Sequence, residues 1–285
     1  MADRPLFGPG GNSESFYAEG KKHTLDAPAW LASRGLDAYE YQAGNGITGS
    51  PQLFEKIGKE AKRCGIALSF HAPYFISLSS VTMETRLKSI GYIQRSLDAA
   101  GMMGADIIVV HTGSAGKITR AEAMDLARDT LYKTLEEVPD NGVRIGLETM
   151  GKINQLGTLE EVLELCKLDA RLRPVVDFGH LNARNLGSYF VTTDDYRRLF
   201  DTVGSTLGDE YAHDLHCHFS KIQYTDGGEK KHLTFEDIEY GPDFEPLCQA
   251  IALEGVAPRI ICESAGTMAE DALAMKRAYM SYAKN

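Results

Sequence analysis

Short apolar runs recur along the chain, and a longer segment with apolar residues at helical spacing follows each of them. A short apolar run bounded by Gly, Pro or polar residues is typical of a buried strand, whereas helical spacing indicates an amphipathic helix. The pattern predicts strands at residues 5–8, 36–41, 66–70, 107–110, 143–147, 175–176, 214–219 and 259–262. It predicts helices that begin near residues 27, 51, 85, 119, 158, 193, 244 and 269.

Local signals at the helix ends agree with this pattern. Thr119 with Glu122 and Thr158 with Glu161 have the spacing of a capping box, in which each side chain accepts a hydrogen bond from the other residue's backbone. The polar stretch 224–232 shows no apolar periodicity, so we predict a loop there.

The order of the predicted elements indicates the fold class. Strands that alternate strictly with helices form parallel sheets, because each helix must carry the chain back to the start of the next strand. Eight such units in a chain of 285 residues fit a closed (β/α)8 TIM barrel better than an open sheet. No composition break divides the chain, so residues 1–285 are predicted to form a single α/β domain.

The amino-acid composition limits the classes of partner that we expect this protein to bind. The net charge of −10 gives no general attraction to nucleic acid or to anionic membranes, although bound cations can reverse the local field at a site. Five cysteines without a Cys-x-x-Cys pair indicate a reducing compartment, and Cys217 and Cys262 are predicted to face the core. Without a signal peptide or a long apolar run, we expect a cytoplasmic protein, monomeric and without membrane association.

Polar residues stand where the predicted strands end, and this is where a TIM barrel carries its chemistry. Each has a plain structural interpretation when taken alone; Asp177, for example, could simply cap a helix that begins at Phe178. Together they form a mixed imidazole and carboxylate set at one rim of the barrel. Its members are His71, His111, Glu148, Asp177, His180, His216 or His218, His232 and Glu263.

This set has too many ligands for one ion, so two or three ions that share a carboxylate are predicted. Nitrogen and oxygen ligands without thiolate suit zinc, manganese or iron. Metal ions about 3.5–4 Å apart are typical of phosphoester hydrolysis. Glu148 and Glu263 are also candidate catalytic acids, with the alternative that each pairs with Arg or Lys.

Six short motifs in order resemble the endonuclease IV family of apurinic/apyrimidinic endonucleases, which belongs to the xylose isomerase-like TIM barrel superfamily. The match spans nearly the whole chain. The motifs begin with His71-Ala72-Pro73-Tyr74-Phe75-Ile76-Ser77-Leu78, His111-Thr112-Gly113 and Leu147-Glu148-Thr149, and continue with Asp177-Phe178-Gly179-His180, the stretch from His216 to Lys221, and Cys262-Glu263-Ser264.

The resemblance implies cleavage of DNA 5′ to abasic sites in base excision repair, through a metal-activated hydroxide, with three zinc ions. Carried over by position, His71, His111 and Glu148 would hold one ion. Glu148 would bridge to a second, held by Asp177, Glu263 and either His216 or His218. The third would lie between His180 and His232.

Other positions of the motifs imply contacts with duplex DNA. Tyr74 and Phe75 match a pair that wedges into the duplex, and Lys221 falls in the motif after strand seven. The chain reads Glu229-Lys230-Lys231-His232 where the family has Asp-Arg-His, so Glu229 is a further possible ligand. The loop 42–50 contains no arginine where the family inserts one into DNA. The alternative is a divalent-metal sugar isomerase or epimerase of the same superfamily, which commonly binds one ion through two Glu, Asp and His.

Overall fold

The computed structural model describes residues 3–283, and its centre is an eight-stranded parallel sheet rolled into a barrel. The barrel strands are β1 Leu6–Pro9, β2 Ala38–Gln42, β3 Ala67–His71, β4 Ile107–His111, β5 Arg144–Glu148, β6 Leu172–Asp177, β7 His216–Phe219 and β10 Arg259–Cys262. Their order around the sheet is β1-β10-β7-β6-β5-β4-β3-β2, with parallel pairing at each ladder. The predicted barrel and its eight strands are confirmed.

The barrel closes where β1 meets β2. The Asp37 amide donates to the Phe7 carbonyl at 2.9 Å, and the Gly11 amide donates to the Glu40 carbonyl at 3.0 Å. A Cβ on Gly8 would lie 1.8 Å from the carbonyl oxygen of Ala38, so only glycine allows this approach.

Helices surround the barrel in the expected alternation. They are α1 Glu14–Ala18, α2 Ala27–Ser33, α3 Pro51–Cys64, α4 Met83–Met103, α5 Arg120–Glu137, α6 Leu159–Cys166, α7 Phe178–Arg184, α8 Thr193–Leu207, α9 Asp209–His213, α10 Phe244–Glu254 and α11 Met268–Tyr282. Both predicted capping boxes are present, at Thr119 and Thr158. The short helices α1 and α9 were not predicted, because neither is long enough to show a clear period, whereas α7 begins at Phe178, where the capping interpretation of Asp177 placed a helix start. Among helices of residues 3–283, none has the length and apolar character of a membrane span.

The stretch 224–232 is not the predicted loop. It belongs to an antiparallel hairpin of β8 (Ile222–Thr225) and β9 (Gly228–His232), which stands above the barrel rim. The prediction failed because β9 reads Gly-Glu-Lys-Lys-His and carries no apolar face. The pairing of β9 depends on the hairpin turn and on a backbone contact with the loop after β5, where the Glu229 amide donates to the Gly151 carbonyl at 3.0 Å.

The apolar core lies mainly between the strands and the helices, and the barrel interior is largely polar. Cys217 and Cys262 are buried in the outer core, as predicted. Inside the barrel, Ile107, Val109 and Val175 form a small separate apolar cluster. Because strand side chains alternate, the remaining inward positions are free to carry the polar groups described below.

Candidate metal centre at the carboxyl ends of the strands

The side chains predicted at the strand ends converge at one rim of the barrel. Within residues 3–283 there are four groups whose potential ligand atoms lie within 4.8 Å of one another, and three of them adjoin at this rim. The groups at the rim are His71, His111 and Glu148; Glu148, Asp177, His218 and Glu263; and His180, Glu229 and His232. The fourth group, Glu40, His216 and His218, lies deeper in the barrel. Parallel strands bring their carboxyl ends to the same rim, so residues far apart in sequence meet there.

The first group lies at the ends of β3, β4 and β5. Oε2 of Glu148 lies 3.5 Å from Nε2 of His71 and 3.1 Å from Nε2 of His111. Nδ1 of His71 lies 2.8 Å from the Ala72 carbonyl oxygen. Donation from this nitrogen leaves Nε2 with a lone pair that faces the carboxylate and is available to a cation.

The second group uses the other oxygen of Glu148. Nδ1 of His218 lies 3.0 Å from Oε1 of Glu148 and 3.6 Å from Oε1 of Glu263. Oδ1 of Asp177 accepts a hydrogen bond from the His180 amide at 2.7 Å and so caps α7. The capping interpretation of Asp177 is therefore correct and compatible with a site, because its second oxygen, Oδ2, faces the group.

The third group joins β9 of the hairpin to α7. Nε2 of His180 lies 3.5 Å from Oε2 of Glu229, and Nε2 of His232 lies 3.9 Å from Oε1 of the same residue. Nδ1 of His232 lies 2.8 Å from the Ser220 hydroxyl. Gly151 makes room for the group, since a Cβ there would lie 2.6 Å from Cβ of Glu229.

The surroundings of two carboxylate oxygen atoms indicate whether these residues fit a cation. Oε2 of Glu148 and Oδ2 of Asp177 are buried, and neither accepts a hydrogen bond within residues 3–283, although Nε2 of His111 and Nδ1 of His180 lie 3.1 Å and 3.4 Å away without hydrogen-bond geometry. Burying a carboxylate oxygen without a partner is costly, unless a cation or a proton satisfies it. The donors are imidazoles and carboxylates without thiolate, which suits borderline and hard divalent ions. The set therefore fits divalent metal ions.

The pKa values of the buried carboxylates are shifted by the charged groups that crowd the site. Burial raises the pKa of Asp177, and the carboxylates of Glu263 and Glu148 raise it further against the effect of His180. Burial opposes ionisation of Glu148, but His218 and His111 outweigh it and hold the pKa well below its usual value. Closely spaced carboxylates of this kind are stabilised by cations, whether protonated imidazoles or metal ions.

His216 and His218 both point into the barrel, at different depths. His218 belongs to the second group, whereas His216 lies one layer deeper and contacts Glu40, with 2.9 Å between Nε2 and Oε2. Glu40 was not among the predicted residues. It is fully buried and lies between the two histidines. The alternation of β2 contained the signal, because an acid at an inward position of a barrel strand needs a partner inside the barrel.

Tyr74 and Phe75 lie at the rim, where the resemblance expected them. Tyr74 is 52% exposed, and its ring centroid lies 5.3 Å from that of His111 in a stacked arrangement. Phe75 is 48% exposed and packs edge-on against Tyr92. Lys221 is held by protein groups: Nζ donates to the Asp237 carbonyl at 2.6 Å and lies 3.1 Å from Oδ1 of Asp243.

Members of all three groups form the floor of an open cavity of about 440 Å³, namely His71, His111, Glu148, His180, Glu229, His232 and Glu263. Its walls include Tyr74, Met150, Lys152 and Gln155, in addition to the proposed ligands. Lys152 is exposed at the mouth, and Oε1 of Gln155 is buried without a hydrogen-bond partner among residues 3–283. The floor is thus acidic and imidazole-rich, whereas the walls offer an ammonium and an amide.

Comparisons with known proteins agree with the fold. Residues 28–279 match the family model described as Xylose isomerase-like TIM barrel. An uncharacterized protein of Methanocaldococcus jannaschii is 27% identical over 82% of this chain and 84% of its own. A protein named "Probable endonuclease 4" of Acholeplasma laidlawii is 30% identical over 65% of this chain and 69% of its own.

Solved structures with the same fold include an endonuclease and an epimerase-like protein. Endonuclease IV from Thermus thermophilus superposes with a TM-score of 0.72 at 19% identity, covering 98% of this chain and 99% of its own. A D-tagatose 3-epimerase-like protein superposes with a TM-score of 0.70 at 20% identity, covering 98% of both chains. At these identities the likeness concerns the fold alone. The family match extends over most of the chain, which belongs to the xylose isomerase-like TIM barrel family.

Proposed function

We propose that the protein is a metal-dependent phosphodiesterase that cleaves duplex DNA 5′ to abasic sites. The observation that carries the proposal is the sharing of Glu148 between two ligand groups, with the third group adjoining both. Oε1 of Glu148 also lies 3.5 Å from Nδ1 of His180, which links the third group to the others. Adjoining sites of this kind suit several ions acting on one phosphate.

Each proposed ion has its own ligand set. His71, His111 and Glu148 would hold the first; Glu148, Asp177, His218 and Glu263 would hold the second; and His180, Glu229 and His232 would hold the third. The ions are Zn²⁺, with Mn²⁺ or Fe²⁺ as alternatives for the same donor set. When bound, such ions neutralise developing negative charge on phosphate oxygens and lower the pKa of water.

The two glutamates of the second group have different tasks in this proposal. The side chain of Glu148 is 1% exposed, so it positions groups around it and does not reach substrate. The side chain of Glu263 is 14% exposed and lines the cavity. Its carboxylate is therefore the better placed to accept a proton from the water that attacks phosphorus.

The rim supplies the contacts with DNA. Tyr74 is half exposed and lines the cavity, and its neighbour Phe75 is also about half exposed. Aromatic side chains at such positions stack on bases or separate base steps. The proposed ions would counter the overall negative charge at this face. The name "Probable endonuclease 4", which several relatives of this chain carry, supports a DNA substrate.

The test is incision of a duplex that carries a tetrahydrofuran abasic analogue, with protein prepared without chelator. We expect a single cut 5′ to the analogue, and a loss of activity of about a hundredfold or more in Glu263→Gln. Glu137→Gln is the matched control, because Glu137 is exposed at the end of α5, away from the rim. An uncut duplex with metal-loaded wild-type protein would contradict the proposal.

A second candidate is a sugar isomerase or epimerase that uses one divalent ion. The second group alone, with two Glu, one Asp and one His, offers a complete set for a single ion. The same measurements separate the candidates. Elemental analysis that finds about one ion per chain, together with conversion of a ketose and no DNA incision, would favour the isomerase.

A further inference from the structure

A buried cluster lies directly beneath the proposed metal centre, inside the barrel. It consists of Glu40, Ser69, His216 and His218, all of which are buried. The cluster joins β2, β3 and β7, whose inward side chains meet at this depth. His218 connects the cluster to the metal centre, because it belongs to both the cluster and the second ligand group.

We propose that Glu40 is a positioning residue, which holds the His218 imidazole so that Nδ1 faces the second ligand group. This inference rests on the metal centre of the proposed function. It does not depend on whether the substrate is DNA or a sugar, because either candidate requires an ion in the second group.

The distances on the two sides of the imidazole carry the proposal. Nε2 of His218 lies 3.0 Å from Oε1 of Glu40, and Nδ1 lies 3.0 Å from Oε1 of Glu148. The ring is thus placed between two carboxylates, one below it and one at the site. Among residues 3–283, Nδ1 makes the hydrogen bond of this ring, with Glu148, whereas Nε2 faces Glu40 as a charge contact without hydrogen-bond geometry. A proton that the charge of Glu40 holds on Nε2 would leave the lone pair of Nδ1 to a cation in the second group.

Glu40 is itself held by several donors. Its Oε2 accepts a hydrogen bond from the Ser69 hydroxyl at 2.9 Å and lies 2.9 Å from Nε2 of His216. Nε2 of Gln42 donates to Oε1 at 3.3 Å. These contacts come from three strands, so the carboxylate has little freedom to move away from His218.

A carboxylate behind a metal-binding histidine has a known physical effect. It fixes the ring orientation and tautomer and makes the imidazole a better donor, and its loss typically weakens metal binding about 10–100-fold. A carboxylate buried only for structure would be a costly choice, because neutral groups could fill the same space without desolvating a charge. A cation bound to Nδ1 of His218 would offset the negative charge of Glu40, which lies on the opposite side of the His218 imidazole.

The test measures metal affinity, with Zn²⁺ as the probe and a chromophoric chelator as the competitor. The full-length chain is depleted of metal and then titrated, as wild type and as Glu40→Gln. Glutamine keeps the size of the side chain and removes its charge. We expect one binding step of Glu40→Gln to be weaker by about 10–100-fold, with the other steps unchanged.

Asp37→Asn is the matched control. Asp37 is also buried and lies three positions before Glu40, but its carboxylate pairs with Arg4 and Lys276 and has no contact with the metal centre. It should lower the melting temperature and leave every Zn²⁺ binding step unchanged. A structural role alone for Glu40 would give the same result in Glu40→Gln, and that result would overturn the proposal.

A milder variant keeps the proposal testable if Glu40→Gln does not fold. Ser69→Ala removes one hydrogen bond to Glu40 and should weaken the same binding step by about threefold, whereas an unchanged step would contradict the inference. The wild-type titration distinguishes a failure of the proposed metal centre from a failure of the proposed role of Glu40. Wild-type protein that binds no Zn²⁺ would overturn the proposed function, whereas normal wild-type binding with unchanged variants would overturn only the role of Glu40.

Discussion

Nδ1 of His218 lies 3.0 Å from Oε1 of Glu148, at the boundary between the barrel interior and the open cavity. His216 is two residues earlier on the same face of β7, yet it contacts Glu40 and does not belong to any group that contains Glu148. The two histidines therefore occupy successive layers of the barrel. This difference in depth separates a proposed metal ligand from a residue that supports it.

Replacement of the two histidines should have unequal effects. We expect His218→Gln to lose one metal ion per chain and at least a hundredfold in activity, because the second group loses its only nitrogen ligand. His216→Gln should retain the full number of ions at saturating metal. Elemental analysis of both variants measures the difference, and equal loss in the two would show that the layers are not functionally distinct.

The third ligand group makes a prediction about metal stoichiometry. Glu229→Gln should reduce the number of ions per chain by one, since Glu229 supplies the only carboxylate between His180 and His232 in this group. Asp226→Asn in the turn of the same hairpin is the control, because Asp226 is exposed and lies outside the group. Unchanged zinc content in Glu229→Gln would mean that the group does not hold an ion.

Tyr74 should affect DNA binding more than metal binding. Its hydroxyl donates to Oε1 of Gln42 at 3.2 Å, and its ring is half exposed above His111. We expect Tyr74→Ala to weaken binding of an abasic duplex about tenfold, or ~1.4 kcal/mol, with metal content unchanged. Tyr132→Ala is the control, because Tyr132 is about equally exposed but lies on α5. Equal duplex affinity of wild type and Tyr74→Ala would exclude the wedge role.

The pH dependence of metal binding should follow His180. Burial alone would lower the pKa of its imidazole, but the carboxylates of Asp177 and Glu229 outweigh burial and raise the pKa to about 9 in the absence of metal. A proton then competes with the ion for this residue. We expect affinity at the third group to rise by up to about tenfold per pH unit towards pH 9 and then to level off.

Stability of the metal-depleted chain should change in the opposite direction. A pKa raised above the unfolded value of ~6.5 contributes stability that is complete below that pH and is lost as pH rises through about 9. Zn²⁺ titrations between pH ~6.5 and about 9 measure the change in metal affinity, and thermal melts over the same pH range measure the change in stability. Affinity that is independent of pH would indicate that His180 carries no proton that the ion must displace.

Much of the fold and of the site could be predicted because both depend on local patterns. Most barrel strands show as apolar runs, β2 and β7 show as alternating segments, and the capping boxes at Thr119 and Thr158 are complete within four residues. The structure brings His71, His111 and Glu148 together because their strands are neighbours with parallel register, including the pairing of His111 with Glu148. Strand ends in a closed parallel barrel necessarily share one rim.

Other features depend on contacts that a linear pattern does not encode. The hairpin that carries Glu229 and His232 has a polar second strand, and its position depends on backbone hydrogen bonds to the loop at Gly151. Glu40 looked like an ordinary polar position in an alternating strand. Its partners, His216 and His218, lie on a strand that starts 176 residues later, so its role appears only when the barrel closes.

The amino-acid sequence by itself determined the eightfold strand-helix alternation, the polar residues at the strand ends and therefore the rim at which they meet. These follow from periodicity and from the direction that parallel strands share. Only the tertiary structure decided which of His216 and His218 faces Glu148, how Glu229 joins His180, and that Glu40 lies behind the site. The physical reason is that alternation along a strand specifies only the face on which a side chain lies. The layer of the barrel that the side chain occupies depends on the stagger of neighbouring strands, which is set when the barrel closes.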